Sequence, residues 1–143
     1  MNLISGTRYL IDTNILVYSV DRASPFYQTV TDMLKKAAED GIELCLAQQN
    51  LTEYIAVLTQ GYKVSLASAM EDAKAFAAQF EVISPLPTTL NTFFNLLENA
   101  VSHNYVFDIY LAATMIDNDV RRIITVNEKD FQSLGLEEVA SIS

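Results

Sequence analysis

Arg8-Tyr-Leu-Ile-Asp-Thr-Asn-Ile-Leu-Val-Tyr18 is the stretch whose reading decides the fold. Its first apolar run, Tyr9-Leu10-Ile11, reads as a buried strand. The run stops at Asp12-Thr13-Asn14, and apolar residues resume at Ile15. A carboxylate set where an apolar strand gives out is costly if it is buried without a partner. At the carboxyl edge of a parallel sheet it is cheap, because open α/β folds keep their ligand crevice there. Asp12 is therefore either a cap for the helix that follows or a site residue, since Asp is also a favoured helix N-cap. This stretch alone leaves both open.

Working outward, the residues after Tyr18 form a loop from Asp21 to Pro25, and Ser24-Pro25 fits a helix start with proline at the first position. Phe26, Val30, Met33, Leu34, Ala37 and Ala38 recur at spacings of three and four, which predicts an amphipathic helix ended by Gly41. A strand is predicted over Ile42–Ala47 and a helix over Gln48–Gln60, stopped by Gly61. Ser65 caps a further helix through Phe80. Glu81–Ser84 reads as a third strand, closed by Pro85 and Pro87. Thr88 or Thr89 caps a helix through Ser102, and the segment from His103 to Phe107 reads as a connector. Asp108–Asn118 is helical, Arg122–Val126 is a fourth strand, Asn127–Leu134 is a turn, and a fifth, edge strand falls within Leu136–Ile142. Strands alternating with helices imply parallel pairing with helices on both faces, hence an α/β/α sandwich.

The chain has 143 residues, enough for one domain, 1–143, around one core. Half of the residues are hydrophobic and three are proline, which argues against disorder. No apolar run approaches the ~20 residues of a membrane span. No basic segment leads into a long apolar one at the N-terminus, so no signal peptide is read and the cytoplasm is the expected compartment. The single cysteine, Cys45, lies in an apolar strand and reads as a small core residue. Net charge is −9. A module that grips nucleic acid through phosphate contacts alone is usually basic, so that class is disfavoured. An enzyme that meets phosphates through bound cations is not, because there clustered carboxylates are the ligands.

In a parallel α/β fold, strand ends and the starts of the following helices gather on one edge. Asp12 ends the first strand. Glu53 lies early in the helix after the second, among the apolar Leu51, Tyr54 and Ile55. Asp108 opens its helix, and Asp130 follows the fourth strand with Asn127 between them. Such carboxylates repel one another unless a cation sits among them. Magnesium or manganese takes oxygen ligands and keeps several waters. Each residue also has a plain structural reading: Asp12 and Asp108 as helix caps, Glu53 as an exposed helix residue, Asp130 as a turn residue. The one histidine, His103, reads as a connector residue. No Gly-x-Ser-x-Gly elbow and no phosphate-cradling glycine loop occurs.

Several segments together resemble the motifs of PIN-domain ribonucleases. Leu10-Ile-Asp-Thr-Asn-Ile-Leu-Val-Tyr18 is similar to the opening motif, and Leu51-Thr-Glu-Tyr-Ile-Ala-Val-Leu58 to the second. Phe107-Asp-Ile-Tyr-Leu-Ala-Ala-Thr114 is similar to the third, and Ile124-Thr-Val-Asn-Glu-Lys-Asp-Phe131 to the fourth. The resemblance implies a parallel five-stranded sheet between helices and magnesium- or manganese-dependent cleavage of RNA. At this length it is most like VapC-type toxins, which implies a small antitoxin partner and a dimer. It implies Asp12, Glu53 and Asp108 as an acidic triad around the metal, with Asn14 and Thr125 as supporting polar groups. Many members carry an aspartate where this chain has Asn127, so the fourth ligand falls to Asn127 or Asp130.

Two alternatives remain beside the nuclease. One is a non-catalytic PIN-like module whose acidic crevice docks a basic peptide. The other is a phosphohydrolase with Asp12 as nucleophile, which lacks a second aspartate two residues on. Phe26, Tyr27, Tyr62, Phe93 and Phe94 supply aromatic surface for a dimer or simply fill the core.

Overall fold

The structure, a computed structural model, describes residues 2–101 and 104–142. Ser102 and His103, the predicted end of one helix and the start of the connector, lie outside the described residues. Five strands form one parallel sheet: β1 (Arg8–Ile11), β2 (Glu43–Ala47), β3 (Glu81–Ile83), β4 (Arg122–Thr125) and β5 (Glu138–Ser141), in the order β3-β2-β1-β4-β5. Among the described residues six α-helices connect them: α1 (Thr13–Val20), α2 (Tyr27–Glu39), α3 (Gln48–Ala56), α4 (Leu66–Gln79), α5 (Thr89–Asn99) and α6 (Val106–Asp117).

Alternation along each strand divides the core into two halves. Tyr9, Ile11, Leu46 and Ile124 pack beneath the layer of α1 to α4. Leu10, Cys45, Ala47 and Ile123 face the other way, against α6 and Phe131. The predicted α/β/α sandwich is the observed one. Cys45 is fully enclosed, and burial pushes its thiol up to about 12, so it behaves as a core residue. α6 buries Ile109, Leu111, Ala112, Ala113, Thr114 and Met115, almost its whole circumference, as an all-round apolar helix should. Among the described residues, no helix is long and apolar enough to cross a membrane.

The chain runs outward from β1 through β2 to β3, then returns to place β4 on the opposite side of β1. That reversal opens a crevice beyond the carboxyl ends of β1 and β4, the position where doubly wound sheets bind ligands. Asp12 lines it with Thr125 buried behind, and the Asp12 amide donates to the Ile124 carbonyl at 2.9 Å.

Four local expectations need correction. The helix predicted to start at Ser24-Pro25 begins at Tyr27, because the Ser24 hydroxyl accepts from the Phe26 amide and holds a turn there. The helix predicted over Gln48–Gln60 changes to a π-helical turn at Val57–Gly61. α6 starts two residues before Asp108, so Val106 and Phe107 are helical rather than connector. Of the two threonines offered as cap for α5, neither caps it with its side chain. Thr88 occupies the cap position, while the Thr89 hydroxyl accepts from the Leu86 amide and donates to Asp117.

Candidate active site

Asp12 caps a helix and also lines the crevice. It is the N-cap of α1, extended at φ −67° and ψ 156°, and its Oδ1 accepts from the Thr13 amide at 2.8 Å. Its Oδ2 accepts from the Thr125 hydroxyl at 2.7 Å and from Asn14 Nδ2 at 3.2 Å. Asn14 also reaches the Thr125 hydroxyl at 3.3 Å, and that hydroxyl accepts from the Asn127 amide at 3.1 Å. The loop after β4 is thereby tied to the first strand end. A carboxylate has about four lone-pair sites, and three of those on Asp12 are taken, so one remains.

Glu53 is fixed by a second network. Its Oε2 accepts from the Thr13 hydroxyl at 3.1 Å and its Oε1 from Gln49 Nε2 at 2.7 Å. Asn50 Nδ2 donates to the same Thr13 hydroxyl at 3.1 Å, and Asn50 Oδ1 accepts from the Ala47 amide at 2.9 Å. Asn50 is fully buried, so this side chain pins the start of α3 to the start of α1. Truncating it leaves buried donors and acceptors unpaired, which costs about 1–3 kcal/mol. Asn50→Ala is expected to lower stability by that amount in chemical denaturation.

Asp108, in the first turn of α6, where the helix dipole favours an anion, has no hydrogen-bond partner among the described residues. Asp130 sits in a 3-10 turn, Glu128–Phe131, and among the described residues only its backbone is bonded: its amide to the Asn127 carbonyl, its carbonyl to Asn104. Asp12, Glu53, Asp108, Asp130, Asn127 and Asn14 all line one cleft of about 290 Å³, so every predicted carboxylate reaches the same crevice. Thr125 lies behind it, fully buried, holding Asp12. Asn127 is exposed at the rim.

The electrostatics follow from this crowding. Burial pushes the Asp12 carboxyl up to about 6 against the pull of the Thr125 and Thr13 hydrogen bonds, and the charges of Glu53 and Asp130 push the same way. Burial, then Asp12, Asp130 and Glu53, push Asp108 up to about 7. Among the described residues no lysine or arginine pairs with any of the four; the ion pairs all lie elsewhere. Nor do any three histidine, cysteine, aspartate or glutamate side chains among those residues form a ready-made metal cage. The donor set is nevertheless oxygen only, net negative and partly unbonded. It suits a hard divalent ion that enters with its own waters and takes one or two carboxylates directly.

Sequence reasoning missed Thr13, Gln49 and Asn50. The only signal available was the run Gln48-Gln49-Asn50 opening a helix directly after an apolar strand. It also missed the tyrosines: Tyr18 and Tyr62 form a wall of the crevice, beside the π-helical turn.

A search of curated protein sequences finds no match. Among solved structures the chain is similar to VapBC2 from Rickettsia felis, at 18% identity and a TM-score of 0.67 over 92% of this chain and 98% of that one. It is similar to VapBC-1 from nontypeable Haemophilus influenzae, at 13% identity and a TM-score of 0.69 over 94% and 98%. FitAcB from Neisseria gonorrhoeae aligns at 19% identity and a TM-score of 0.66 over 93% and 96%. These likenesses establish a shared fold. The PIN domain family profile matches residues 9–136, which takes in all four motifs and every carboxylate of the crevice, and the chain belongs to the PIN domain family.

Proposed function

We propose that this protein is a metal-dependent endoribonuclease, acting as a single domain over residues 1–143, and that it is the toxin of a toxin–antitoxin pair. The observation that carries the reading is the convergence of Asp12, Glu53, Asp108 and Asp130 on one cleft with no basic partner among the described residues. Asp12 and Asp108 would hold a magnesium or manganese ion, with Glu53 binding it directly or through water and Asp130 or Asn127 completing the shell. A bound divalent ion supplies charge neutralisation at phosphorus and a water of lowered pKa. The chain's own part is placement. Thr13, Thr125 and Asn14 lock Asp12 in one orientation, and Gln49 and Thr13 lock Glu53. Asp108, unbonded, is free to turn toward the ion. Preorganised groups of this kind need no rearrangement when charge develops in the transition state.

The antitoxin part of the reading rests on the motif resemblance and on charge. With a net charge of −9 and an acidic crevice, the fitting partner is a peptide with a basic tail. The same crevice would serve a non-catalytic docking module, and activity separates the two. Labelled single-stranded RNA is incubated with the protein in magnesium, in manganese and in chelator. Cleavage confined to the metal lanes is expected. Equal cleavage in chelator, or none with either metal, would overturn the nuclease.

A further inference from the structure

Directly beside the carboxylate crevice lies a second cleft of about 440 Å³, lined by Thr52, Ala56, Val57, Tyr105 and Phe107 with Gln49. The two clefts share Glu53, Val57 and Asp108 as a common wall. Tyr105 and Phe107 are 59% and 56% exposed, although large aromatics in so apolar a chain are expected inside. Their rings meet edge to face at a centroid distance of 5.4 Å and an angle of 61°, a standing pair rather than two loose side chains. Tyr105 is the N-cap residue of α6, and Phe107 and Asp108 follow in its first turn. The aromatic pair and the carboxylate therefore move as one body. Gln49 reinforces this, because its Nε2 donates to the Phe107 carbonyl and to Glu53 Oε1, each at 2.7 Å.

We propose that this cleft is a base-stacking subsite, in which Tyr105 and Phe107 receive the unpaired base of the nucleotide next to the phosphodiester that lies over the carboxylates. The proposal rests on the endoribonuclease reading above. Its occupant follows from charge and shape. Glu53 and Asp108 on the shared wall repel a bare phosphate, whereas a nucleobase is neutral and presents a flat π-face to aromatic rings. Only a group joined covalently to a phosphate suits both clefts at once, with the phosphate over the carboxylates and a bound cation, and the base against the aromatics. Every base has a π-face, so the subsite selects unstacked, single-stranded RNA rather than one base.

The test uses the full chain and a short single-stranded RNA carrying 2-aminopurine at successive positions around the bond that the wild type cuts. Tyr105→Ala, Phe107→Ala, their double variant and the conservative Tyr105→Phe are compared in magnesium. In the wild type, 2-aminopurine beside the cut is expected to be quenched on binding, and Tyr105→Phe keeps the quenching. The double variant should lose it and raise KM by about tenfold to a hundredfold, with a smaller change in kcat. Both side chains are more than half exposed, so these changes leave the fold in place. Unchanged KM and quenching in the double variant, with the wild type still cleaving, would overturn the subsite and leave the nuclease standing. Unchanged RNA kinetics with loss of binding to a synthetic basic peptide would make the cleft a peptide-docking surface and likewise overturn it. A wild type that cleaves no RNA with either metal removes the nuclease reading and this inference together.

Discussion

Asp12→Asn is expected to abolish RNA cleavage, by at least about a thousandfold, while the protein melts no lower than the wild type. The first half follows from the proposed metal site: the several kcal/mol of charge stabilisation that a divalent ion would supply to phosphoryl transfer would be lost with its proposed central ligand. The second half follows from what Asp12 costs the fold without metal. It is a charge almost wholly out of water, 7% exposed, facing three other carboxylates. Asparagine has the same shape and keeps an oxygen to accept from the Thr13 amide. Its amide nitrogen faces the Thr125 hydroxyl, which already accepts from Asn14 and from the Asn127 amide, so the bond to Thr125 is lost. Removing the repulsion offsets any loss in that bond. A melting scan beside a cleavage assay separates this outcome from simple unfolding, which would lower both together.

A second large effect concerns pH and metal. Asp12 and Asp108 titrate at about 6 and about 7 in the folded chain, both raised first by burial. An unfolded aspartate titrates at about 3.9. Between those values the folded state holds protons that the unfolded state has lost, so metal-free stability falls as pH rises through the window from about 4 to about 7. Asp12 alone accounts for on the order of 3 kcal/mol. That is a fall of roughly 5–10 °C in melting temperature for a chain of this size. A divalent ion reverses the sign, since it binds only the ionised form and stabilises the fold by mass action. The expected result is a metal-free protein that melts higher at pH 5 than at pH 7.5, with magnesium or manganese restoring stability mainly at the higher pH. Asp12→Asn should flatten the metal-free slope. A wild type that grows more stable from pH 5 to pH 7.5 without metal would contradict this account.

The layers of the fold were legible because they are written in periodicity. Alternation in Tyr9-Leu10-Ile11 and three-and-four spacing in the helices need no partner to be recognised. Strand order was not legible in the same way. That β4 returns to the far side of β1 is a tertiary choice, and it is what puts Thr125 opposite Asp12. The carboxylates could be picked out because each follows a strand or opens a helix, which is a local position. The groups that aim them could not. Asn50 and Thr13 lie 37 residues apart and meet only because α1 and α3 cross. The π-helical turn after Ala56 has no distinct composition, yet it places Val57 in the walls of both clefts. Phe107 reads as connector because the sequence predicts the helix only from Asp108, two residues after α6 begins, so the second cleft is not visible from sequence.

The aromatics that the sequence offers either to a dimer surface or to the core divide in two. Phe26 packs on Tyr18 at 5.0 Å and Phe93 on Tyr110 at 5.3 Å, which spends them inside the chain. Phe94 and Tyr62 stay 51% and 44% exposed, and the Tyr62 hydroxyl is bonded to Asp21 at 2.8 Å. Phe94 lies with Leu90 and Leu97 on the outer side of α5, on the opposite layer from Tyr62.

The most direct test of the central claim, that the convergent carboxylates hold a divalent ion, is a calorimetric titration with magnesium and with manganese at pH 7.5. The wild type is run beside Asp12→Asn and Asp108→Asn, and no substrate is needed. The account predicts saturable binding by the wild type that is lost or greatly weakened in both variants, with their folds intact by circular dichroism. Binding of equal strength in all three proteins, or none in the wild type with either ion, would contradict it.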